Sequence, residues 1–167
     1  MKKLLMILPL VFLLCSTFAC QKGEKEAEEK ETEPTIIVDN VFSADGVSIA
    51  FEVRGEGEPA LVFIHGWAAK RTVWYGQLSY FDQKYQVVAI DLAGHGESGR
   101  NRNNWTIEAF GQDILAVVDK LELDQLVLIG WSIGDKIISE AALRMPERVI
   151  GIIGVDTFYN LNPWTSE

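Results

Sequence analysis

Ser132 stands at the centre of Gly130-Trp131-Ser132-Ile133-Gly134. The pentapeptide closes the apolar run Leu126-Val127-Leu128-Ile129 and opens an amphipathic stretch from Ile133 to Met145. A strand that enters a helix through Gly-x-Ser-x-Gly is the nucleophile-elbow pattern. Its small residues let strand and helix approach. The serine hydroxyl is lifted clear of the backbone, beside N–H groups at the helix start that can meet an anion. The chemistry this suits is attack on an acyl carbon, with the tetrahedral oxyanion met by backbone donors. The bland alternative is a small residue at a sharp turn.

Two other segments carry residues of catalytic type. His65-Gly66-Trp67 directly follows the run Ala60-Leu61-Val62-Phe63-Ile64. Asp91-Leu92-Ala93-Gly94-His95-Gly96-Glu97-Ser98-Gly99 follows Tyr85–Ile90. His65 and His95 read either as a base or as loop-holding residues, and Asp91 as a tie for loop backbone. Two histidines on separate loops, without a carboxylate cluster, fall short of a usual metal-ligand set. No metal is expected.

These residues need elements to place them. Ile36 to Phe42 and Val47 to Val53 flank the turn cluster Ser43-Ala44-Asp45-Gly46 and predict a β-hairpin. Val47, Ile49, Phe51 and Val53 alternate with Ser48, Ala50 and Glu52, the pattern of a half-buried strand. Ala60–Ile64, Tyr85–Ile90, Leu126–Ile129 and Val149–Val155 are continuous apolar runs, as in strands covered on both faces. Ile107, Phe110, Ile114, Val117 and Leu121 form a helical stripe with Thr106 as its N-cap. Ile137, Ala141 and Met145 form a second, stopped by Pro146, and Trp74 to Phe81 reads as a shorter helix. The fold class is α/β: a mostly parallel sheet with helices on both faces, led by an antiparallel hairpin. Ligands of such sheets bind at the carboxyl ends of the strands, where all three segments fall.

With those three ordered motifs, residues 36–167 resemble the α/β-hydrolase superfamily, in its small esterase-like branch. The resemblance implies Ser132 as nucleophile and the backbone N–H groups of Ile133 and Trp67 as oxyanion donors. It implies no organic cofactor, and it gives His65 and His95 structural roles. A serine nucleophile favours a small-molecule ester-like substrate cleaved by two-step acyl transfer. Family members carry their acid after the seventh or sixth strand and their histidine after the eighth. Val149–Val155 counts as the sixth, so the core reads as incomplete and truncated before the catalytic histidine. Asp156 matches only the minority acid position. Family members often have glycine where this chain has Asp135, whose carboxylate would either oppose the oxyanion or face outward. Turnover is therefore open. The alternatives are an inactive product of an interrupted gene or a non-enzymatic binding module.

The ends and the bulk composition bound the setting. Met1-Lys2-Lys3, the apolar run Leu4 to Leu14, and Ala19 before Cys20 predict a signal peptide over 1–19. The junction resembles a bacterial lipobox, which implies lipid on Cys20 and a membrane-anchored envelope location; the alternative is ordinary secretion. Residues 20–35, rich in Glu and Lys, read as a solvated tether reaching about 50 Å when extended. The body contains no cysteine, which excludes a disulfide framework there. Fifteen basic residues against 24 acidic give a net charge of −9, which argues against nucleic acid as a partner. An apolar edge at Val149–Val155 predicts self-association.

Overall fold

The computed structural model describes residues 35–157. The leader, Cys20, the tether up to residue 34, and Phe158 onward lie outside the described residues. Six strands form one sheet: β1 (Ile37–Phe42), β2 (Ser48–Arg54), β3 (Ala60–Ile64), β4 (Val87–Ile90), β5 (Leu126–Trp131) and β6 (Val149–Val155), in the order β1-β2-β4-β3-β5-β6. The β1–β2 and β2–β4 pairs are antiparallel, and the rest are parallel. This is the expected α/β architecture with its leading hairpin.

Alternation in the interior strands separates two cores. Val62, Ile64, Leu126 and Leu128 face α2 (Ile107–Lys120) and α3 (Ile133–Arg144), meeting Ile114, Val117, Ile137 and Ile138. Phe63, Ala89 and Ile129 face the other side, against Trp74 and Leu78 of a 3-10 turn (Arg71–Trp74) and α1 (Tyr75–Phe81). The Thr106 hydroxyl caps α2 by accepting from Ala109 N–H at 3.2 Å.

Two elements differ from expectation for local reasons. β4 begins at Val87 because the preceding residues are engaged elsewhere. Tyr85 N–H donates to Phe81 at the end of α1, and Gln86 N–H donates to Gly57, each at 3.0 Å. β2 is buried on both faces rather than one. Its polar face is covered, with Glu52 meeting Arg54 at 2.5 Å and Arg71 at 3.7 Å. The exposed member of the hairpin is β1.

A second buried charge straps the chain after the Asp91–Gly99 loop. The Arg102 guanidinium, fully buried, donates to fully buried Asp113 at 2.9 and 2.5 Å and to half-exposed Asp45 at 2.7 and 3.2 Å. Its carbon also lies 5.5 Å from the Phe110 ring centre.

Among the described residues β6 is an outer strand of the sheet, and its Gly154 lies against Asp135 of α3. A Cβ on Gly154 would lie 2.7 Å from Asp135 Oδ1, so the carboxylate presses on the backbone of β6. It is 6% exposed, which rules out the outward-facing alternative. Among the described residues no donor or cation meets it, and burial pushes its pKa up.

Two outcomes follow for stability. A carboxyl whose folded pKa lies above its unfolded value contributes stability that is complete below the unfolded pKa and is lost as pH rises through the folded one. Asp135→Asn should therefore raise the melting temperature at pH 7 by roughly 2–4 °C and flatten the gain seen on acidification. Arg102→Met leaves Asp113 buried and unpaired. It should lower stability by about 3–5 kcal/mol in urea titration, whereas Asp45→Asn, at the wetter arm, should cost less than about 1 kcal/mol.

Candidate active site

Three strand ends build the site. β5 enters α3 through Ser132, whose backbone sits at φ 56°, ψ −119°, a left-handed conformation for a non-glycine residue. A side chain at Gly130 would come within 2.6 Å of the Gly134 carbonyl, and one at Gly134 within 2.8 Å of the Ile64 carbonyl. Only bare backbone fits at either position, and so α3 presses on both β5 and the end of β3. Strain of this kind costs on the order of 1–3 kcal/mol and persists where the surroundings over-determine it.

The donors at the elbow divide cleanly. Ser132 N–H is used in a 3.0 Å bond to Val155 of β6. Ile133 N–H, the first of α3, has no acceptor within its own helix. Gly66 brings the next loop against the elbow, since a Cβ there would lie 3.2 Å from Ser132 Cβ. Trp67 follows it with an exposed indole, and among the described residues its N–H has no acceptor. Ser132, Ile133 and the Gly66–Trp67 segment thus meet at one sheet edge. Beside them Trp131 lines an apolar cleft of about 260 Å³ with Val73, Trp74, Gln77 and Val155.

The imidazoles hold loops. His65 is fully buried, with Nδ1 2.7 Å from the Gly66 carbonyl and Nε2 accepting from Leu92 N–H at 3.0 Å. Those partners require the neutral Nδ1–H tautomer. Burial lowers its pKa, which keeps the ring in that form. His95 repeats the arrangement, with Nδ1 3.0 Å from the Ala93 carbonyl and Nε2 accepting from Ala68 N–H at 3.3 Å. Neither ring is free to serve as a base.

Asp91 is likewise a tie. Its carboxylate accepts from the Arg71 backbone at 2.7 Å, from Glu97 N–H at 3.0 Å and from the Arg71 guanidinium. Arg71 also reaches Glu97 at 2.6 Å. Ser98 completes the knot, donating to the Asp91 carbonyl at 2.6 Å and accepting from Ala50 N–H at 2.8 Å. Sequence reasoning missed Arg71 because its partners are nineteen or more positions away, and a lone arginine in a loop carries no local signal. Asp156 lies exposed past the end of β6 with φ 51°, apart from both imidazoles' hydrogen-bond networks. Among the described residues no group of three or more His, Cys, Asp or Glu is arranged to hold a metal ion. Nor is any helix among them long and apolar enough to cross a membrane.

Known proteins share this fold. A family model described as the alpha/beta hydrolase fold matches residues 59–167. A 3-oxoadipate enol-lactonase from Acinetobacter baylyi is 29% identical over 125 residues, which cover 74% of this chain and 47% of the lactonase. Among solved structures, the N-acyl homoserine lactone degrading enzyme Est816 is 35% identical with a TM-score of 0.68, over 71% of this chain and 45% of that one. A thermophilic esterase from Thermogutta terrifontis is 29% identical with a TM-score of 0.67, over 72% of this chain and 46% of that one. The chain thus spans about half the length of the relatives it matches. With the elbow, the loops and the strand order all in place, this chain belongs to the α/β-hydrolase fold family.

Proposed function

We propose that the crevice performs acyl transfer on ester-type bonds through Ser132. The observation that carries this reading is the strained Ser132 backbone with the Gly66 loop packed against it. Ser132 Oγ would attack the carbonyl carbon. The oxyanion would form between Ile133 N–H and Trp67 N–H, and collapse would expel an alcohol and leave an acyl-serine. Water would then release the acid and restore the hydroxyl. Each donor contributes about 3 kcal/mol of transition-state stabilisation in such sites. The lactonase and esterase relatives support an ester or lactone as substrate class.

Among the described residues no imidazole is free to act as the base. The chain has two histidines, and both are committed to loop backbone. A nucleophile and oxyanion hole alone retain roughly 10³–10⁴-fold catalysis over water, far below a full triad. A crevice that binds acyl compounds without turnover is the second reading, and the commitment of both imidazoles to loop backbone is the observation that favours it. The leader and the Ala19–Cys20 junction support an envelope location with lipid on Cys20 and the glutamate-rich tether as spacer.

β6 supports self-association with a second copy of the chain. Ile150, Ile152 and Ile153 are about half exposed on its two faces, and the strand carries no lysine or proline to guard the edge that is unpaired among the described residues. Apolar grooves flank it on either side, one of about 670 Å³ beside Leu143 and Pro146 and one of about 470 Å³ beside Phe63 and Phe81.

A fluorophosphonate probe should label the chain once, and Ser132→Ala should abolish labelling. Labelling that survives Ser132→Ala, or an unlabelled wild type, would sink the acyl-transfer reading. Labelling with negligible hydrolysis of a p-nitrophenyl ester is the signature of capture without turnover. Light scattering should find the wild type associated and Ile152→Lys shifted toward monomer; a monomeric wild type would remove the case for β6 pairing.

A further inference from the structure

Alternate residues of β1 aim their backbone groups in opposite directions, and the bonds around the hairpin fix which go where. At the hairpin end Ser43 N–H donates to the Val47 carbonyl at 2.8 Å, so residue 43 bonds toward β2. On β2 the Ser48 carbonyl accepts from Gly99 N–H and the Ala50 carbonyl from Asp91 N–H, while Ala50 N–H donates to Ser98 Oγ. Ser48 and Ala50 therefore bond away from β1, which leaves Ile49, Phe51 and Val53 bonding toward it. Their partners are Val41, Asp39 and Ile37. By the antiparallel alternation, the N–H and C=O groups of Val38, Asn40 and Phe42 point out of the sheet. β1 is an outer strand of that sheet. Of these outward groups Asn40 N–H meets a side chain of its own strand, Asp39 Oδ1, at 2.7 Å.

The same three residues share one side-chain face. Val38 is 55% exposed and Phe42 70%, and Asn40 between them is exposed as well. β1 follows β2 from Ile37 to Phe42 without a bulge and contains neither lysine nor proline, the usual guards of an open edge. Its one charge, Asp39, lies on the opposite face and reaches Lys120 of α2 at 3.0 Å.

A second copy laid antiparallel on this edge must keep like faces together, because side chains alternate along both strands. Two symmetric registers satisfy that and use most of β1. Centred on Asp39, the pair sets two carboxylates directly opposite each other, which is destabilising. Centred on Asn40, it sets Asn40 opposite the partner's Asn40 and Val38 opposite the partner's Phe42, the latter twice by symmetry. Asp39 then faces the partner's Val41. The facing pairs of the exposed face are all hydrogen-bonding pairs in this register, giving about six main-chain bonds. An aromatic side chain across from a β-branched one is also a favourable cross-strand pair. Asn40 N–H exchanges a carboxylate acceptor for a carbonyl.

We propose that β1 is a self-pairing edge: a second copy of the chain adds antiparallel to it in the register centred on Asn40 and joins the two sheets into one. The contact lies at the opposite edge of the sheet from β6 and uses no residue of the elbow, so it goes beyond both readings given above.

The test follows the full 167-residue chain as wild type and with Ile152→Lys, in which pairing at β6 does not enter. Hydrogen exchange of the Val38 and Phe42 amides is read as protein concentration rises, alongside mass by analytical ultracentrifugation. Both amides should gain protection with concentration, and Ile152→Lys should approach a dimer. In that background Val38→Lys and Phe42→Glu should each weaken the dimer on the order of tenfold. A mixture of the two should recover most of the loss, because one facing pair becomes lysine with glutamate and the other stays phenylalanine with valine. Asp39→Ala should tighten the dimer roughly 2–5-fold, since Asn40 N–H then has no competing acceptor. Val38 and Phe42 are more than half exposed, so the charged variants should keep their melting temperature; should one of them not fold, Asp39→Ala and the amide exchange still decide. A monomer at every concentration, freely exchanging Val38 and Phe42 amides in an associated sample, or a mixture no better than its components would overturn the proposal. Protection that does not change with concentration would overturn it too, since a segment of the same chain would then lie on the edge. Failure here leaves Ser132 untouched, because its labelling tests the acyl-transfer reading separately.

Discussion

The chain must reverse from β5 into α3 within the space left by Gly130 and Gly134, and the rest of the structure accommodates that turn. A methyl group at either glycine would collide with backbone at under 3 Å, so the helix could not lie against β5 and β3. The turn forces Ser132 to a positive φ, at a cost of about 1–3 kcal/mol. Leu126, Leu128, Ile137 and Ile138 are buried on either side of it, and each contributes about 1.5–3 kcal/mol. Burial therefore exceeds the strain several-fold, and the flanking elements hold the serine in a conformation it would not adopt alone. β6 adds a clamp, because Val155 takes the one N–H of Ser132 that would otherwise be free.

Around this rigid turn the two loops are held by a different kind of force. Loop backbone at a sheet edge leaves N–H groups without strand partners, and a buried one must find an acceptor. Here side chains supply them: Asp91, Ser98, His65 and His95 each accept from a main-chain N–H of another segment or a distant part of their own loop. The residues of catalytic type in these loops are spent on architecture. That leaves Ser132 and bare amides as the reactive equipment among the described residues.

What could be read in advance divides along the same line. The elbow, β3, β5 and α2 are set by neighbours in sequence, through glycine spacing, continuous apolar runs and a helical stripe ending in a threonine cap. They appear where expected. Glu52, Arg71 and Arg102 were not legible as structural residues, because their meaning lies in partners reached only after the chain has folded. The alternation in β2 suggested a wet face, yet Glu52 there is covered by Arg54 and Arg71. Asp135 was undecidable for a related reason: its direction depends on Gly154, a strand away. Tyr85 and Gln86 have strand-like character, but α1 and Gly57 claim their N–H groups first.

The strand order carries a consequence for assembly. β3 has β4 on one side and β5 on the other, and Ala60 pairs with Leu126 across more than sixty positions of chain. A chain emerging from its N-terminus at about 5–20 residues per second would hold β3 with one open edge for several seconds. Only when Leu126–Trp131 arrives can the central slot close, and such long-range pairing is intrinsically slow. The strand that carries Ser132 is therefore also the keystone of the sheet, and the serine reaches its strained position as the sheet locks.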